Sequence, residues 1–480
     1  MKIDKYNLSG GMNQKTSPLF IADNECELVQ NYHMDNLGSL TKRAGIANLI
    51  GQTVNDKAIT GLYFFADNIG TDYTNLLVRV STFIKKITTN AWANSLATGL
   101  TDGAQGYFAT FIDYVFHTDG GNSAMASSAD LSTWGTTNCL ATLKPKYVCQ
   151  WEDRVYALND ASSTAYPSRI YWSPLPSGTP LAITWAPTTD YADINPDDND
   201  EITWGEPFGT KMLIFKTKAI YNWTFGQVEP DKLIEVGTPE GRTVKQTQGI
   251  CFFANEYGVY AYTGYGKPLK ISKKVQGFID AVTSWTSTRA EVDDDHYCLY
   301  IGDVTVGGVA YSKVMLVYTL SIKGWHFETY PFAITAMARF RRLTTGTTEI
   351  YDTIYLGDDD GYVYRKGTGT ADYNGTTIAN INGRIITKEY PLFDFPKTSQ
   401  LQNLWFLAQK GTGARVNYRI DRGDWKPWKD LKQRITEGAL SGRAKTIQFS
   451  ITDNSQTQSQ IEGFSVEVKG EQETRRVISK

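Results

Sequence analysis

From about residue 58 to about residue 378 the chain alternates apolar and polar positions in short runs, each closed by glycine, asparagine or aspartate. Successive side chains of a strand point to opposite faces, so this period of two predicts half-buried strands. The turn residues between the runs predict hairpins. Four copies of the phrase are plain: Arg154–Leu158 before Arg169–Ser173, Lys211–Phe215 before Ala219–Trp223, Ile250–Phe253 before Gly258–Tyr262, and Thr353–Gly357 before Gly361–Tyr364. The copies return at roughly 35 to 50 residues, the spacing of four-stranded propeller blades. Units opening near Ile59, Gln105, Lys146, Glu201, Val244, Ala290 and Met337 predict an all-β β-propeller of about seven blades; the first two are degenerate, which leaves six or eight open.

The flanks are written differently. Gly10-Gly11-Met12-Asn13 through Ser17-Pro18-Leu19-Phe20 excludes a regular element, whereas Glu27–Met34 predicts a short strand that turns through Asp35-Asn36-Leu37-Gly38 into Ser39–Arg43. The result is an extended N-terminal arm ending in a hairpin. Such an arm either pairs with a terminal blade, which removes an exposed edge, or reaches a neighbouring subunit. After a boundary loop at Thr368–Gly375, strand-like runs at Arg384–Thr387, Leu401–Ala408, Ala414–Ile420, Thr446–Thr452 and Ile461–Lys469 predict a C-terminal β-sandwich. The expected division is therefore arm over 1–50, propeller over 51–380 and sandwich over 381–480.

Composition narrows the class. Aromatic residues make up 13% of the chain, glycines number 42 of 480 and charged residues are 21%, which suits sheets and turns. A net charge of −3 gives no basic footprint for binding nucleic-acid phosphates. The five cysteines, Cys26, Cys139, Cys149, Cys251 and Cys298, are odd in number and lack C-x-x-C spacing. They predict reduced, mostly buried thiols of a protein made in a cytosol, with neither a disulfide framework nor a zinc site. The N-terminus carries no apolar signal region and no run of eighteen apolar residues occurs, so neither secretion nor membrane insertion is expected.

Candidate chemistry is sparse. Asp293-Asp294-Asp295 and Asp358-Asp359-Asp360-Gly361 are the carboxylate clusters that a propeller glycosidase would need as acid and nucleophile. The second cluster equally spells a hairpin turn, and it lacks the distal Glu of a helix-bounded calcium loop. Asn195–Glu201 reads as a solvated acidic loop. The four histidines, His33, His117, His296 and His326, show no metal-ligand spacing, and His296 and His326, inside aromatic strands, read as satisfied core or surface residues. Gly226, Gly264 and Gly266 interrupt aromatic strands as turns and lack the helix that a phosphate loop requires. No catalytic, metal-binding or cofactor-binding residue is expected, and the Trp-Asp marks of cellular WD propellers are missing from the blades.

The arm motif Gly10-Gly11-Met12-Asn13, Ser17-Pro18-Leu19, Asn31-Tyr32, Asp35 and Gly38-Ser39-Leu40-Thr41-Lys42-Arg43-Ala44-Gly45 resembles the N-terminal signature of propeller-containing tail nozzle and head-completion (stabilisation) proteins of tailed bacteriophages. The resemblance continues through Asp200–Thr203, Met212–Tyr221, Gly258–Tyr262 and Ile271-Ser272. It implies a structural, non-enzymatic virion protein of the tail, in about six copies around the axis, that forms or closes the DNA-ejection conduit. It also implies portal-adaptor or tail-tube proteins, and tail fibres, as partners, with DNA touched only in passage. Met12, Asn13, Ser17, Pro18, Leu19, Asn31, Tyr32, Asp35, Gly38, Lys42 and Arg43 are then the expected assembly residues. The alternative expectation is a host-recognition propeller that binds or cleaves carbohydrate, resting on the two aspartate clusters and the aromatic surplus.

Overall fold

A computed structural model describes residues 2–5, 7–34, 37–65, 76–87, 91–93, 97, 99–129, 131, 133–136, 138–140, 142–162, 165–177, 183–343, 350–392, 397–408 and 413–470. The protein is all-β, with 53% strand and 4% helix, in a six-bladed β-propeller arrangement. Asp35, one of the expected assembly residues, lies outside the described residues.

Each repeated phrase forms the middle hairpin of a blade. Arg154–Asp160 pairs with Tyr166–Trp172, Lys211–Lys216 with Ile220–Trp223, Ile250–Asn255 with Gly258–Tyr262, and Ile350–Asp358 with Val363–Lys366, all antiparallel. These strands are buried on both faces, as in Arg154–Asp160 and Ile250–Asn255, because each blade is covered by a neighbour on either side. Polar residues gather where the strands end. Asp358 accepts the amides of Asp360 and Tyr362, Asn255 those of Tyr257 and Gly258, and Asp119 those of Asn122 and Ser123, so side-chain acceptors shape the turns.

Six small sheets are discrete. They open at Ile59–Phe64, Tyr107–Phe111, Pro145–Trp151, Ile202–Phe208, Lys245–Thr247 and Ile334–Leu343. The expected count of about seven is corrected at the sector over 289–329. Its four strands, Arg289–Val292, His296–Val306, Val309–Thr319 and Gly324–Thr329, do not end as a blade but continue into a ten-stranded sheet. Apolar clusters fill the gaps between neighbours around the ring, from Ile59 and Val78 against Ala336 and Tyr355 to Cys298 and Met315 against Ile354 and Leu356. Burial of such residues is the main favourable contribution, at about 25 cal/mol per Å² of apolar surface.

The N-terminal segment threads through this body. Cys26–Gln30 lies between Gly324–Thr329, to which it is parallel, and Gly383–Thr387, to which it is antiparallel. At Asn31 the backbone turns left-handed (φ 57°), a conformation asparagine tolerates better than most residues. The strand there leaves the ten-stranded sheet, and Tyr32–Met34 enters a seven-stranded sheet through its hairpin partner Leu40–Lys42, which pairs with Gln460–Gly470. Ile46–Asn48 then pairs with Val363–Lys366 as the fourth strand of the last blade, with Asp372–Asn374 parallel to it on the other side. Of the two expected fates of the arm, pairing with a terminal blade is the one present within this chain.

Beyond residue 380 the two large sheets face each other across Leu404, Phe406, Phe449, Phe464 and Val466. That cluster is continuous with Trp325 and Phe327 of the ring and with Leu8 and Met12 of the arm.

Candidate functional site at the N-terminal seam and the propeller axis

Most expected assembly residues are knitted into the molecule's own interior. Met12 is fully buried and donates its amide to the Trp325 carbonyl at 2.6 Å. Asn13 donates its amide to the Cys26 carbonyl and its side-chain amide to Glu25. Arg422 donates to the Ser17 hydroxyl, and the Glu389 amide donates to the Pro18 carbonyl, while Leu19 is half-buried. Gly38, at φ 97°, accepts the Leu8 amide. The Tyr32 hydroxyl meets Ser459, and burial raises its pKa.

Asn31 joins three regions: its amide nitrogen donates to Thr329 Oγ1 and the Asn382 carbonyl, and its oxygen accepts Arg43 Nε and the Thr329 amide. Arg43, buried and stacked over Tyr330, makes a two-pronged ion pair with Asp372 at 2.8 and 2.5 Å. Burial opposes its charge, yet Asp372 raises its pKa above the ordinary arginine value. Lys42, 1% exposed, pairs with Asp453 at 3.2 Å and donates to the Ser455 carbonyl at 2.6 Å. Its pKa is lowered by that burial, against the pull of Asp453.

Beside this seam stands a polar cluster in which His326 and Glu328 alternate on the strand Gly324–Thr329, while His33 and Lys366 arrive from distant segments. His33 Nε2 lies 2.7 Å from Glu328 Oε1, Lys366 Nζ 3.1 Å from the same oxygen, and the Tyr330 hydroxyl donates to Oε2. Burial raises the Glu328 pKa, but Lys366 and the histidines outweigh it and hold the carboxyl well below the usual range. One ligand atom each from His33, His326 and Glu328 lies within 4.8 Å of the others, a spacing that can hold a divalent metal. Glu328 is already satisfied by three donors, however, and a cation there would have to displace the Lys366 ammonium. His33 and His296 are partnered, by Glu328 and Asp293. His326 departs from the expectation of satisfied histidines: both ring nitrogens lack a hydrogen-bond partner, Nε2 sits 3.9 Å from Glu328, and burial lowers its pKa to about 3.

The aspartate clusters act as turn and ion-pair anchors. Asp293 accepts the Asp295 and His296 amides, Asp294 pairs with Arg339, and Asp295 accepts from Ser321. Asp358 accepts the Tyr364 hydroxyl as well as its turn amides. In the acidic loop, Asp198 pairs with the buried Lys216 at 2.8 Å and Asp200 accepts the Lys218 amide.

On the propeller axis lies a cavity of about 260 Å³. Its polar lining includes Thr60, Gln105, Arg242, Lys245, Arg289 and Thr335, and no carboxylate among the described residues lines it. Glu240 clamps Arg242 at 2.8 and 2.6 Å, and Glu291 pairs with Lys245 at 3.1 Å. Arg289 is 9% exposed and donates to the Ser287 and Thr335 carbonyls. Burial, with the Arg242 charge next, lowers its pKa to about 9. Glu206, raised by burial to about 7, is bound by Trp204 Nε1 and lies outside the lining. The aspartate clusters drew the sequence reading away from these arginines. Arg242 and Arg289 stand just before the apolar residues that open successive units, Val244 and Ala290, and that positional echo was the available signal.

No protein-family model and no curated protein matches the chain. Among solved structures, the computationally designed protein Ika8 aligns with TM-score 0.40 and 11% identity over 65% of this chain and 97% of its own. The extracellular domain of a putative one-component system from B. thetaiotaomicron aligns with TM-score 0.43 and 11% identity over 88% of this chain; the match spans only 58% of that domain's length. An exo-β-1,3-galactanase from Phanerochaete chrysosporium aligns with TM-score 0.24 and 8% identity over 77% of this chain and 97% of its own. Likeness at this level carries no inference about activity. Among the described residues no helix is long and apolar enough to cross a membrane, and all five cysteines are buried and unpaired.

Proposed function

We propose that this chain is a structural, non-catalytic virion protein of a phage tail, one of about six copies in a ring that forms or closes the DNA-ejection conduit. The observation that carries the reading is the seam: the residues through which the chain resembles tail nozzle and head-completion proteins tie propeller, arm and C-terminal sheets into one stiff body. Gly11 illustrates the demand on that motif, since at φ 81° an added Cβ would meet the Trp325 amide nitrogen at 2.8 Å. In this reading the facing sheets beyond residue 380 are a β-sandwich that contacts neighbouring tail parts.

The cavity lining also favours this reading over glycoside hydrolysis, which needs two opposed carboxylates at the reacting bond. Docking to the adjacent subunit or to the portal-adaptor ring falls to the parts of the arm that remain outside. Phe20 is 78% exposed and Leu37 is 92% exposed, both on loops flanking the seam.

The test is a complementation experiment in the phage that encodes the chain, with purified particles analysed by mass spectrometry. The wild-type chain is expected at a fixed copy number per particle. Phe20→Asp with Leu37→Asp is expected to fold normally yet be lost from particles. Absence of the wild-type chain from particles, or release of reducing ends from host polysaccharide by the purified protein, would overturn the proposal.

A further inference from the structure

We infer that the axial cavity is a binding site for one small tetrahedral oxyanion of the phosphate or sulfate class, held by Arg289 with Arg242, Lys245 and Gln105 around it. The inference is independent of the virion role.

Its first support is an imbalance of charge. Of the three cations on the cavity wall, Arg242 is matched by Glu240 and Lys245 by Glu291. Arg289 forms no ion pair among the described residues; its Nε and one terminal nitrogen donate to carbonyls. A guanidinium that is only 9% exposed, with a second guanidinium nearby, pays a desolvation cost that two neutral acceptors offset only in part. Arginine does not escape by losing its proton, as a buried lysine can. Glu240 also favours its charge but is committed to Arg242, so a bound negative charge would complete the balance.

Space and donor geometry agree. A volume of about 260 Å³ corresponds to roughly eight waters at about 30 Å³ each, enough for an oxyanion and part of its hydration shell. The donors come from different sectors of the ring: Gln105 from the second blade, Lys245 from the fifth and Arg289 from the sector after it. A tetrahedral ion offers acceptors in several directions and suits such a surround of donors, while Tyr63, Tyr107, Phe108 and Trp204 supply the apolar part of the wall. The bound ion would bridge sectors that are not neighbours around the ring, such as the second and the fifth, so occupancy should stiffen it.

The experiment uses the full-length chain, first dialysed into chloride buffer. Inorganic phosphate and, separately, sulfate are titrated at constant ionic strength, with the unfolding midpoint and isothermal calorimetry as readouts. A saturable, one-to-one isotherm and a midpoint that rises with the logarithm of phosphate concentration are expected. Arg289→Met should weaken binding about tenfold or more while being no less stable than wild type in chloride. Lys218→Met, an exposed change far from the cavity, should leave the isotherm unchanged. If Arg289→Met does not fold, phosphorus NMR on the wild-type chain decides: phosphate lines should broaden and sharpen again on adding sulfate. A wild-type chain whose midpoint responds to phosphate no more than to chloride, or an isotherm unaltered by Arg289→Met, would overturn the assignment.

Discussion

At the scale of single residues, the chain concentrates its buried charge where distant segments meet. Arg43 and Asp372 are 329 positions apart and almost wholly buried, and the guanidinium also contacts Asn31, the Thr329 carbonyl and the Tyr330 ring. Two charges out of water are tolerable only with close geometry and full hydrogen bonding, and breaking one partner strands the other. Arg43→Met should therefore cost about 3–5 kcal/mol in urea unfolding, because Asp372 would lose its ion-pair partner while staying buried. Arg43→Met combined with Asp372→Leu should recover much of that loss. Equal destabilisation by the single and double changes would show that packing against Tyr330, rather than charge balance, is what the arginine supplies.

At the scale of elements, ring closure rests on one short strand. Ile46–Asn48 is added to Val363–Lys366 from the opposite end of the chain, and Gly45 just before it exchanges backbone bonds with Thr368 and Gly369. A Cβ on Gly45 would lie 1.9 Å from the Ala371 carbonyl oxygen, a backbone atom with no side-chain freedom to yield. Gly45→Ala should thus cost at least about 2 kcal/mol and raise hydrogen exchange across Val363–Lys366. Gly277→Ala, in the short helix Gln276–Asp280 with only Val306 at 3.4 Å, should be neutral or slightly stabilising; similar effects from both would refute the wedge. The middle hairpins of the blades were legible because their signals are local: aromatic alternation, then Asn, Asp or Gly at the turn. The sector over 289–329 misled the count because its strand spacing resembles a blade, while the strand that extends it, Cys26–Gln30, arrives from nearly 300 residues away. Asn31 looked like an ordinary strand residue, since only its left-handed backbone reveals the change of sheet. The axial arginines carried only their positional echo before Val244 and Ala290, and in the polar cluster only His326 and Glu328 are near neighbours in the chain; the rest of each site is assembled from separate sectors, a proximity that one sequence does not record.

At the scale of the whole molecule, the ten-stranded sheet crosses the division expected at about residue 380. Gly383–Thr387 bonds to Cys26–Gln30 on one side and to Thr446–Asp453 on the other, while Cys26–Gln30 bonds to the ring strand Gly324–Thr329. One apolar cluster runs from Leu8 through Trp325 and Phe327 to Val468. A fragment spanning 51–380 would lose both the neighbour of Gly324–Thr329 and the strand that completes the last blade, leaving two unpaired edges beside newly exposed aromatic side chains. Trp325 and Phe327 are each worth about 1.5–3 kcal/mol of burial, and part of that is lost with the cut. That fragment should be insoluble or aggregate when expressed alone, and the intact chain should unfold in a single calorimetric transition whose calorimetric and van't Hoff enthalpies agree. A soluble, cooperatively folding 51–380 fragment, matched by two transitions in the intact chain, would mean that the shared sheet joins two self-sufficient bodies. In that case the seam at Asn31, Lys42 and Arg43 would serve as a latch between them, and Arg43→Met would separate the two transitions instead of lowering one.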